Sequence, residues 1–208
     1  MRFLLLFCLA FSASAGVIVP VTNGSIEVKA KTWRALRDAR IVKQDKDYSC
    51  GAASMATLLN EFYHQSLTEI ELLKAMDKGD GRASFDDMAR ILPQFGFRGL
   101  GYALSFEQLS KLKIPTIVYL KHRKDDHFSV LRGIDKNTVW LSDSSLGNRT
   151  YSKTQFLDMW DARNNQTLQG KILVILPNHK SKRAVDFFTK SPKRQSLLAS
   201  GLQAIHSF

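Results

Sequence analysis

The chain has 208 residues, and its 30 Lys and Arg residues outnumber 19 Asp and Glu residues, for a formal net charge of +11. This length is sufficient for one domain with a hydrophobic core. The positive charge permits contact with anionic surfaces but establishes none. The sequence has no nucleic-acid-binding motif, no glycine-rich phosphate loop and no Cys/His cluster at metal-ligand spacing. We therefore expect neither a nucleic-acid partner nor a metal site.

The N-terminus predicts an export signal. Arg2 precedes an apolar run from Phe3 to Phe11, and Ala13-Ser14-Ala15 provides the small residues of a cleavage site. An uncleaved membrane anchor is the alternative, but a membrane-spanning helix needs about 20 apolar residues. We therefore assign residues 1–15 to a signal peptide and expect an exported protein, periplasmic or secreted.

Cysteine usage then becomes informative. Cys8 would leave with the signal, so Cys50 would be the single cysteine of the mature protein. An unpaired thiol in an oxidising compartment is prone to oxidation. A leftover thiol in an exported chain indicates intermolecular pairing or a reactive role. A buried structural cysteine is the alternative, and the cysteine count alone leaves both open.

Helix signals dominate the first half of the chain. Four serines each precede an acid or amide by three positions, which is the capping-box spacing of a helix start. The four pairs are Ser66 with Glu69, Ser84 with Asp87, Ser105 with Gln108, and Ser152 with Gln155. After Cys50, apolar residues recur every three or four positions from Ala52 to Phe62. This spacing predicts a further helix, with Ser49 as its N-cap.

Strand signals dominate the second half. β-Branched and apolar runs occupy Pro115 to Leu120, Phe128 to Ile134, Thr138 to Leu141 and Lys171 to Leu176. Asp135-Lys136-Asn137 separates the second run from the third and predicts a hairpin turn. Helices followed by strands favour an α+β fold in which an antiparallel sheet packs against helices.

The composition changes after Pro177. Residues 178–208 carry six Lys and Arg residues against Asp186 as the one acidic residue. We assign residues 16–177 to the domain and residues 178–208 to a basic C-terminal tail. Its charge suggests the hypothesis that the tail contacts an anionic surface.

Cys50 would be the first residue of its helix. The N-terminus of a helix presents unpaired backbone N–H groups and a partial positive charge, and both favour the nucleophilic thiolate. A cysteine nucleophile also needs a base, and the base needs an orienting group. Among the five histidines, His127 directly precedes a strand while His122 lies in a charged loop. We therefore select His127 as the base.

Two polar residues would complete such a site. Asp143 ends the strand that follows the predicted turn, so its carboxylate would come level with His127 and fix the imidazole tautomer. Gln44 precedes the helix, and an amide there would stabilise the oxyanion of an acyl-transfer reaction. Each residue also has a plain alternative: a strand-edge histidine, a turn aspartate and a surface glutamine.

The combined pattern resembles a known family. The motif Gln44-x5-Cys50-Gly51-x-Ala53, followed by His127-Phe128 and Asp143 at the two strand positions, is similar to the bacteriocin-processing peptidases that cleave double-glycine leaders. These are papain-like cysteine peptidases. The resemblance covers roughly Lys43 to Pro177, most of the mature chain.

The resemblance implies a role for each residue. Cys50 would be the nucleophile, His127 the general base and then acid, Asp143 the orienting residue and Gln44 the oxyanion donor. It also implies a papain-like α+β fold, a hydrolase without a cofactor, and a peptide or protein substrate, with cleavage after Gly-Gly as an expectation. A non-catalytic peptide-binding module and a thioester-based acyl transferase are the alternatives.

The sequence departs from the family pattern in three respects. Ser49 precedes the cysteine where family members often carry Asp, and Ser144 follows Asp143 where Pro is common. The familiar members also form the cytoplasmic N-terminal part of a peptide-exporting ATPase, whereas this chain has an export signal and no nucleotide-binding motif. We therefore expect an exported substrate, such as a surface or pilus component.

Overall fold

A computed structural model describes residues 16–21, 24–29, 31–122, 125–163, 165 and 167–193. The chain divides into two compact units, Met1–Leu36 and Arg37–Phe208. The predicted signal peptide lies outside the described residues. In the first unit, β1 (Gly16–Val21) and β2 (Gly24–Lys29) form an antiparallel hairpin that we did not predict. Helix α1 follows at Trp33–Arg37.

The second unit contains five helices and six strands among its described residues. The helices are α2 (Cys50–Tyr63), α3 (Glu69–Met76), α4 (Phe85–Ile91), α5 (Phe106–Ser110) and α6 (Lys153–Trp160), with a 3₁₀ helix at Leu92–Phe95 after α4. The strands are β3 (Phe97–Leu104), β4 (Thr116–His122), β5 (Asp125–Ile134), β6 (Thr138–Asp143), β7 (Gly147–Ser152) and β8 (Gly170–Pro177). None of the described helices is long and apolar enough to cross a membrane.

The six strands form one antiparallel sheet in the order β3-β8-β4-β5-β6-β7. This architecture confirms the predicted α+β class. We did not predict β3 and β7, the two edge strands. Both contain glycine and keep much of their length partly or fully exposed, so neither shows the strong apolar pattern that identifies a buried strand.

Helix α2 packs against β5 of the sheet and against α3, while α4 packs on the edge strand β3. Twelve of the fourteen residues of α2 are buried. Its apolar side chains form one core with α3, α4 and the facing sheet residues Ile117, Val130 and Leu173. A second core on the opposite face joins α5 and α6 to the sheet. The first core fixes α2 against β5, where the site residues meet.

The capping boxes at Ser84, Ser105 and Ser152 form as predicted. The box predicted at Ser66 is wrong, because Thr68 caps α3 and pairs with Glu71 instead. Asn60 explains the shift. Its side chain accepts from the Leu67 N–H and donates to the Leu67 carbonyl, both at 2.8 Å, which uses the backbone groups that an earlier helix start would need.

Part of the predicted tail packs against the second unit. Phe187 is buried, and the Ala184 N–H donates to the Phe62 carbonyl at 2.9 Å. Thr189 donates to the Arg132 carbonyl at 3.0 Å and accepts from the Ile134 N–H at 3.1 Å. The predicted boundary at residue 177 therefore does not coincide with the edge of the packed unit. Residues 194–208 lie outside the described residues.

Candidate active site

Cys50 is the first residue of α2 and is 4% exposed, with a free thiol. Ser49 occupies the N-cap position, but its hydroxyl donates to the Lys46 carbonyl at 2.7 Å and does not cap the helix. Ser49 is therefore the N-cap residue as predicted, but its side chain makes no capping hydrogen bond. Gly51 packs closely, since a Cβ there would lie 2.5 Å from the terminal methyl of Met88. The small residue after the thiol thus serves the approach of α4.

His127 and Asp143 lie on the paired strands β5 and β6. Their Nε2 and Oδ2 atoms are 2.8 Å apart. The other carboxylate oxygen of Asp143 accepts the backbone N–H groups of Ser145 at 2.9 Å and Leu146 at 2.8 Å. The imidazole is also hydrogen-bonded to the Cys50 thiol. Because Nε2 faces the carboxylate, Nδ1 is the ring nitrogen left for the sulfur.

This chain of contacts sets the protonation of the site. Burial opposes ionisation of Cys50, but hydrogen bonds from His127 and the Phe128 N–H lower the pKa of the thiol below its ordinary value. Burial also opposes the charge on His127, whereas hydrogen bonds to Asp143 and Cys50 raise the pKa of the imidazole to about 10. Between the two pKa values the resting state is a thiolate–imidazolium pair.

Asp143 remains ionised in the same network. Burial acts to raise the pKa of its carboxyl group, but the hydrogen bond and charge of His127, together with two backbone N–H groups, lower that pKa below its ordinary value. A buried carboxylate with all of these partners stabilises the imidazolium and holds its ring orientation.

A β-bulge brings the imidazole and the carboxylate to one face of the sheet. Val130 lies opposite Ser142, but Gly133 lies opposite Trp140, so β5 contains one extra residue in this interval, Arg132. Side chains alternate between the two faces of a strand, so a one-residue slip reverses the face of every later pair. Without the bulge, the register of the hairpin turn would place base and carboxylate on opposite faces.

Gln44 lies in the loop before α2 and is tied to the turn that follows Asp143. Its backbone N–H donates to the Ser144 carbonyl at 3.2 Å, and its side-chain oxygen accepts from the Ser144 hydroxyl at 2.9 Å. Its amide nitrogen donates to the Lys46 carbonyl at 3.0 Å. Ser144, which departs from the proline common in the family, thus supplies a contact that proline lacks.

Asn148 connects the segments that carry Gln44 and Asp143. It is buried, with 3% of its surface exposed. Its Oδ1 accepts from Arg132 Nη1 at 3.1 Å and from the Ser142 hydroxyl at 3.0 Å. Its Nδ2 donates to the carbonyls of Arg37 at 3.0 Å and Ala39 at 2.9 Å. One amide therefore ties together β5, β6 and the chain that leads to Gln44.

Arg132 is itself held by the C-terminal segment. Its Nε donates to the Phe187 carbonyl at 3.3 Å, and its guanidinium lies 4.9 Å from the Phe187 ring centroid and 4.4 Å from that of Trp140. The bulge residue is thus fixed by residues beyond the predicted domain boundary.

Two clefts flank the thiol–imidazole contact. The first has a volume of about 590 Å³ and is lined by Cys50, Phe85, Tyr119 and Phe128 among others. The second, of about 510 Å³, is lined by His127 together with polar and apolar neighbours that include Gln44, Asp143 and Leu120. Arg82 and Asp126 line both clefts. A substrate that passes over the sulfur would therefore occupy a cleft on each side.

The structure brings the four predicted residues to one place. Cys50, His127 and Asp143 are in direct contact, and Gln44 lines the same cleft as the last two. Sequence reasoning missed Asn148 and Arg132, because a buried asparagine and a bulge residue have no sequence signature of their own. Among the described residues, no group of three or more His, Cys, Asp or Glu side chains is arranged to hold a metal ion.

A helix N-terminal thiol beside an imidazole and a carboxylate on an antiparallel sheet defines the class of papain-like thiol peptidases. The model of one family of that class, described as the Peptidase C39 family, matches residues 38–165. The chain belongs to the Peptidase C39 family. This membership confirms the predicted resemblance and the predicted class of cysteine peptidase.

Among curated relatives, the chain is 35% identical over 140 residues to a probable functional amyloid protease FapD of Pseudomonas fluorescens. It is 34% identical over 146 residues to the protein of the same name from Pseudomonas aeruginosa. The matches cover 64% and 67% of this chain but 62% and 65% of those relatives. The chain thus spans less than two thirds of the length of either relative.

Solved structures share the fold at lower identity. A double glycine motif protease from an AMS/PCAT transporter, in complex with the leader peptide, matches with a TM-score of 0.53 at 22% identity, over 66% of this chain and 90% of that one. The peptidase domain of Streptococcus ComA matches with a TM-score of 0.54 at 19% identity, over 66% and 97%. Both matches confirm the papain-like fold.

Proposed function

We propose that the protein is a cysteine endopeptidase that cleaves a peptide bond through Cys50, His127 and Asp143. The observation that carries this proposal is the continuous hydrogen-bonded chain from thiol to imidazole to buried carboxylate, with a pKa lowered at Cys50 and raised to about 10 at His127. Perturbed pKa values that meet in a cleft are typical of catalytic groups.

The reaction begins with attack of the Cys50 thiolate on the scissile carbonyl carbon. The backbone N–H of Cys50 and the side-chain amide of Gln44 stabilise the resulting oxyanion. The C–N bond then breaks, and the leaving amine takes the proton of the His127 imidazolium. The neutral imidazole next deprotonates water, which attacks the thioester carbonyl; the C–S bond breaks, the carboxylic acid product leaves, and the thiolate–imidazolium pair is restored. Asp143 stabilises the imidazolium before the first proton transfer and again after the second.

The two clefts follow this order of events. The proton donor to the leaving amine is His127, and His127 lines the second cleft. Cys50, which holds the acyl group, lines the first. We therefore place the residues on the amino side of the scissile bond in the first cleft and the leaving segment in the second.

The substrate that we propose is an exported protein cleaved after Gly-Gly. Phe85 and Phe128 line the cleft beside Cys50, and their ring centroids are 5.1 Å apart. Two bulky rings next to the sulfur favour small substrate residues at the cleaved bond. The protein itself would be exported, periplasmic or secreted, as its first 15 residues predict. Because the relatives are named as proteases of functional amyloid, an amyloid-forming exported protein is the first substrate to test.

The test is digestion of a peptide library with and without the Cys50 thiol. Full-length protein and its Cys50→Ala variant are incubated with a peptide library, and new termini are read by mass spectrometry. Cleavage by the wild-type protein that the variant lacks supports a peptidase. An added amine that appears on the products would indicate acyl transfer instead. Binding of peptides without Cys50-dependent cleavage would overturn the proposal in favour of a binding module.

A further inference from the structure

A row of side chains leads from the nucleophile across four strands of the sheet. Phe128 on β5 pairs with Tyr119 on β4, and their ring centroids are 5.8 Å apart. The ammonium of Lys171 on β8 lies 5.6 Å from the Tyr119 ring centroid. Ala103 on the edge strand β3 is the register partner of Lys171. All four residues line the first cleft with Cys50, so they form its floor.

Two exposed cations lie at the end of this floor that is remote from Cys50. Lys171 is the second residue of β8. It follows Gly170, which the Trp160 indole covers, and the Lys171 carbonyl accepts from Trp160 Nε1 at 3.2 Å. Arg163 is placed by its backbone N–H, which donates to the Gln169 carbonyl at 3.2 Å. Both side chains line the first cleft. The backbone that carries each cation is therefore fixed in place.

The cleft also contains carboxylates, and they leave the cations available. Asp126 accepts a hydrogen bond from the Tyr119 hydroxyl at 2.5 Å, and Asp86 lies in the first turn of α4, where a carboxylate favours the helix N-terminus. In the described part of the chain, no salt bridge joins either of them to Lys171 or Arg163. An anionic side chain of a substrate is the partner that these cations lack.

Strand spacing gives the position of that side chain. β8 is two strands from β5, which corresponds to about 9–10 Å at the usual spacing between strands. An extended peptide advances about 3.3 Å per residue. The residue whose carbonyl is attacked lies at Cys50, and the residues before it extend along the first cleft. The third or fourth residue before the cleaved bond therefore lies over Lys171.

We propose that Lys171 and Arg163 form a specificity subsite that selects an Asp or Glu at the third or fourth residue on the amino side of the cleaved bond. This inference rests on the proposed peptidase function. The substrate class is thus an extended peptide with an acidic residue shortly before the cleavage site. An exposed pair of opposite charges contributes modestly, but replacement of attraction by repulsion changes cleavage about tenfold.

The experiment measures the residue preference of the full-length protein and of charge-reversed variants. A peptide library with every residue type at these positions is digested, and cleavage sites are read by mass spectrometry. We expect wild-type sites to favour Asp and Glu at the third or fourth position, by about tenfold in kcat/KM over Lys in matched peptides. In Lys171→Glu combined with Arg163→Glu, the preference should reverse towards Lys and Arg.

Lys153→Glu is the matched control. The Lys153 ammonium also lies over an aromatic ring, 4.8 Å from the Phe106 centroid, but it lines neither cleft. This control should retain the wild-type preference. Cys50-dependent cleavage without an acidic preference, or an acidic preference that the double variant retains, would overturn the subsite and leave the peptidase intact. Absence of any Cys50-dependent cleavage would overturn both.

Discussion

Cys50 and His127 reach the same point from regions that are built differently. Cys50 begins a buried helix whose placement depends on packing over its whole length, with twelve of fourteen residues buried. His127 and Asp143 lie near the ends of two strands, and their meeting depends on the single extra residue at the bulge. The thiol is therefore positioned by the start of a helix, and the imidazole–carboxylate pair by the register of two strands.

The difference shows where each part of the site is sensitive. The helix N-terminus contributes to the stability of the thiolate through its own backbone, but the hydrogen bond of His127 is the largest influence that lowers the pKa of Cys50. The imidazole acquires its raised pKa only where Asp143 and Cys50 both reach it. Local changes near Cys50 should thus alter one group, whereas changes in the register of β5 and β6 should alter the whole proton-transfer chain.

The largest expected effect is that of His127→Ala. Loss of the base removes general acid–base catalysis, which contributes about 10²–10⁴-fold, and it also removes the imidazolium that lowers the pKa of Cys50. Wild-type labelling by iodoacetamide should be fast well below pH 8, because the pKa of the Cys50 thiol lies below its ordinary value. In the variant it should rise only near the ordinary thiol pKa of about 8.5.

His179→Ala provides the control, since His179 is exposed on the segment after β8. Its labelling profile should match that of the wild-type protein. If His127→Ala retained fast labelling at low pH, the helix N-terminus alone would generate the thiolate. The distinction between the two regions would then not hold.

The sequence predicted much of the fold for a physical reason, and the four candidate site residues that it predicted lie together in the structure. Each of them lies in or beside the end of an element whose type is encoded locally, by an apolar period, a β-branched run or a turn. The hairpin turn forms as expected, with Asp135 Oδ1 accepting from the N–H groups of Asn137 and Thr138 at 2.7 Å.

The parts that sequence reasoning missed depend on distant residues. The bulge at Arg132 is fixed by Phe187 and Thr189, more than fifty residues later in the chain. From the sequence we assigned those residues to a basic tail, because charged residues dominate the composition around them. Two isolated buried residues give no periodic apolar pattern that would predict packing. Asn148 satisfies four hydrogen bonds from three segments, and no local spacing predicts such convergence.

A smaller effect is expected from Gln44→Ala, which tests the oxyanion role. Loss of one such donor typically lowers kcat by about 10²–10³-fold, and KM should change little because the donor acts on the transition state. The labelling profile of Cys50 should remain that of the wild-type protein, since iodoacetamide reacts without a carbonyl oxyanion. kcat and KM are measured on one cleaved peptide from the library.

Gln65→Ala is the matched control for this variant. Gln65 also donates its amide to a carbonyl two residues away, to Tyr63 at 3.0 Å, but it does not line either cleft. A fall in kcat of equal size in both variants would mean that Gln44 acts through loop stability, and the oxyanion role would be withdrawn.

The smallest expected effect is that of Asn148→Asp, which separates the contribution of the segment that leads to Gln44 from that of the strands beside Asp143. A carboxylate at this position still accepts from Arg132 and Ser142, but it cannot donate to the carbonyls of Arg37 and Ala39. The hydrogen bonds to the segment that leads to Gln44 are thereby lost, while those to the strands beside Asp143 are kept. We expect kcat to fall about tenfold, because misplacement of an oxyanion donor costs only part of its full contribution.

The pH profile of Cys50 labelling distinguishes this positioning role from general destabilisation. It should stay unchanged in Asn148→Asp, because the contact of His127 with Asp143 is retained, and the thermal midpoint is measured on the same samples.

In Arg132→Met the reverse is expected. There the support of the bulge is lost, so fast labelling at low pH should weaken. If both variants shifted the profile equally, the contacts of Asn148 to the Gln44 segment and to the strands beside Asp143 would act together, and their effects could not be separated.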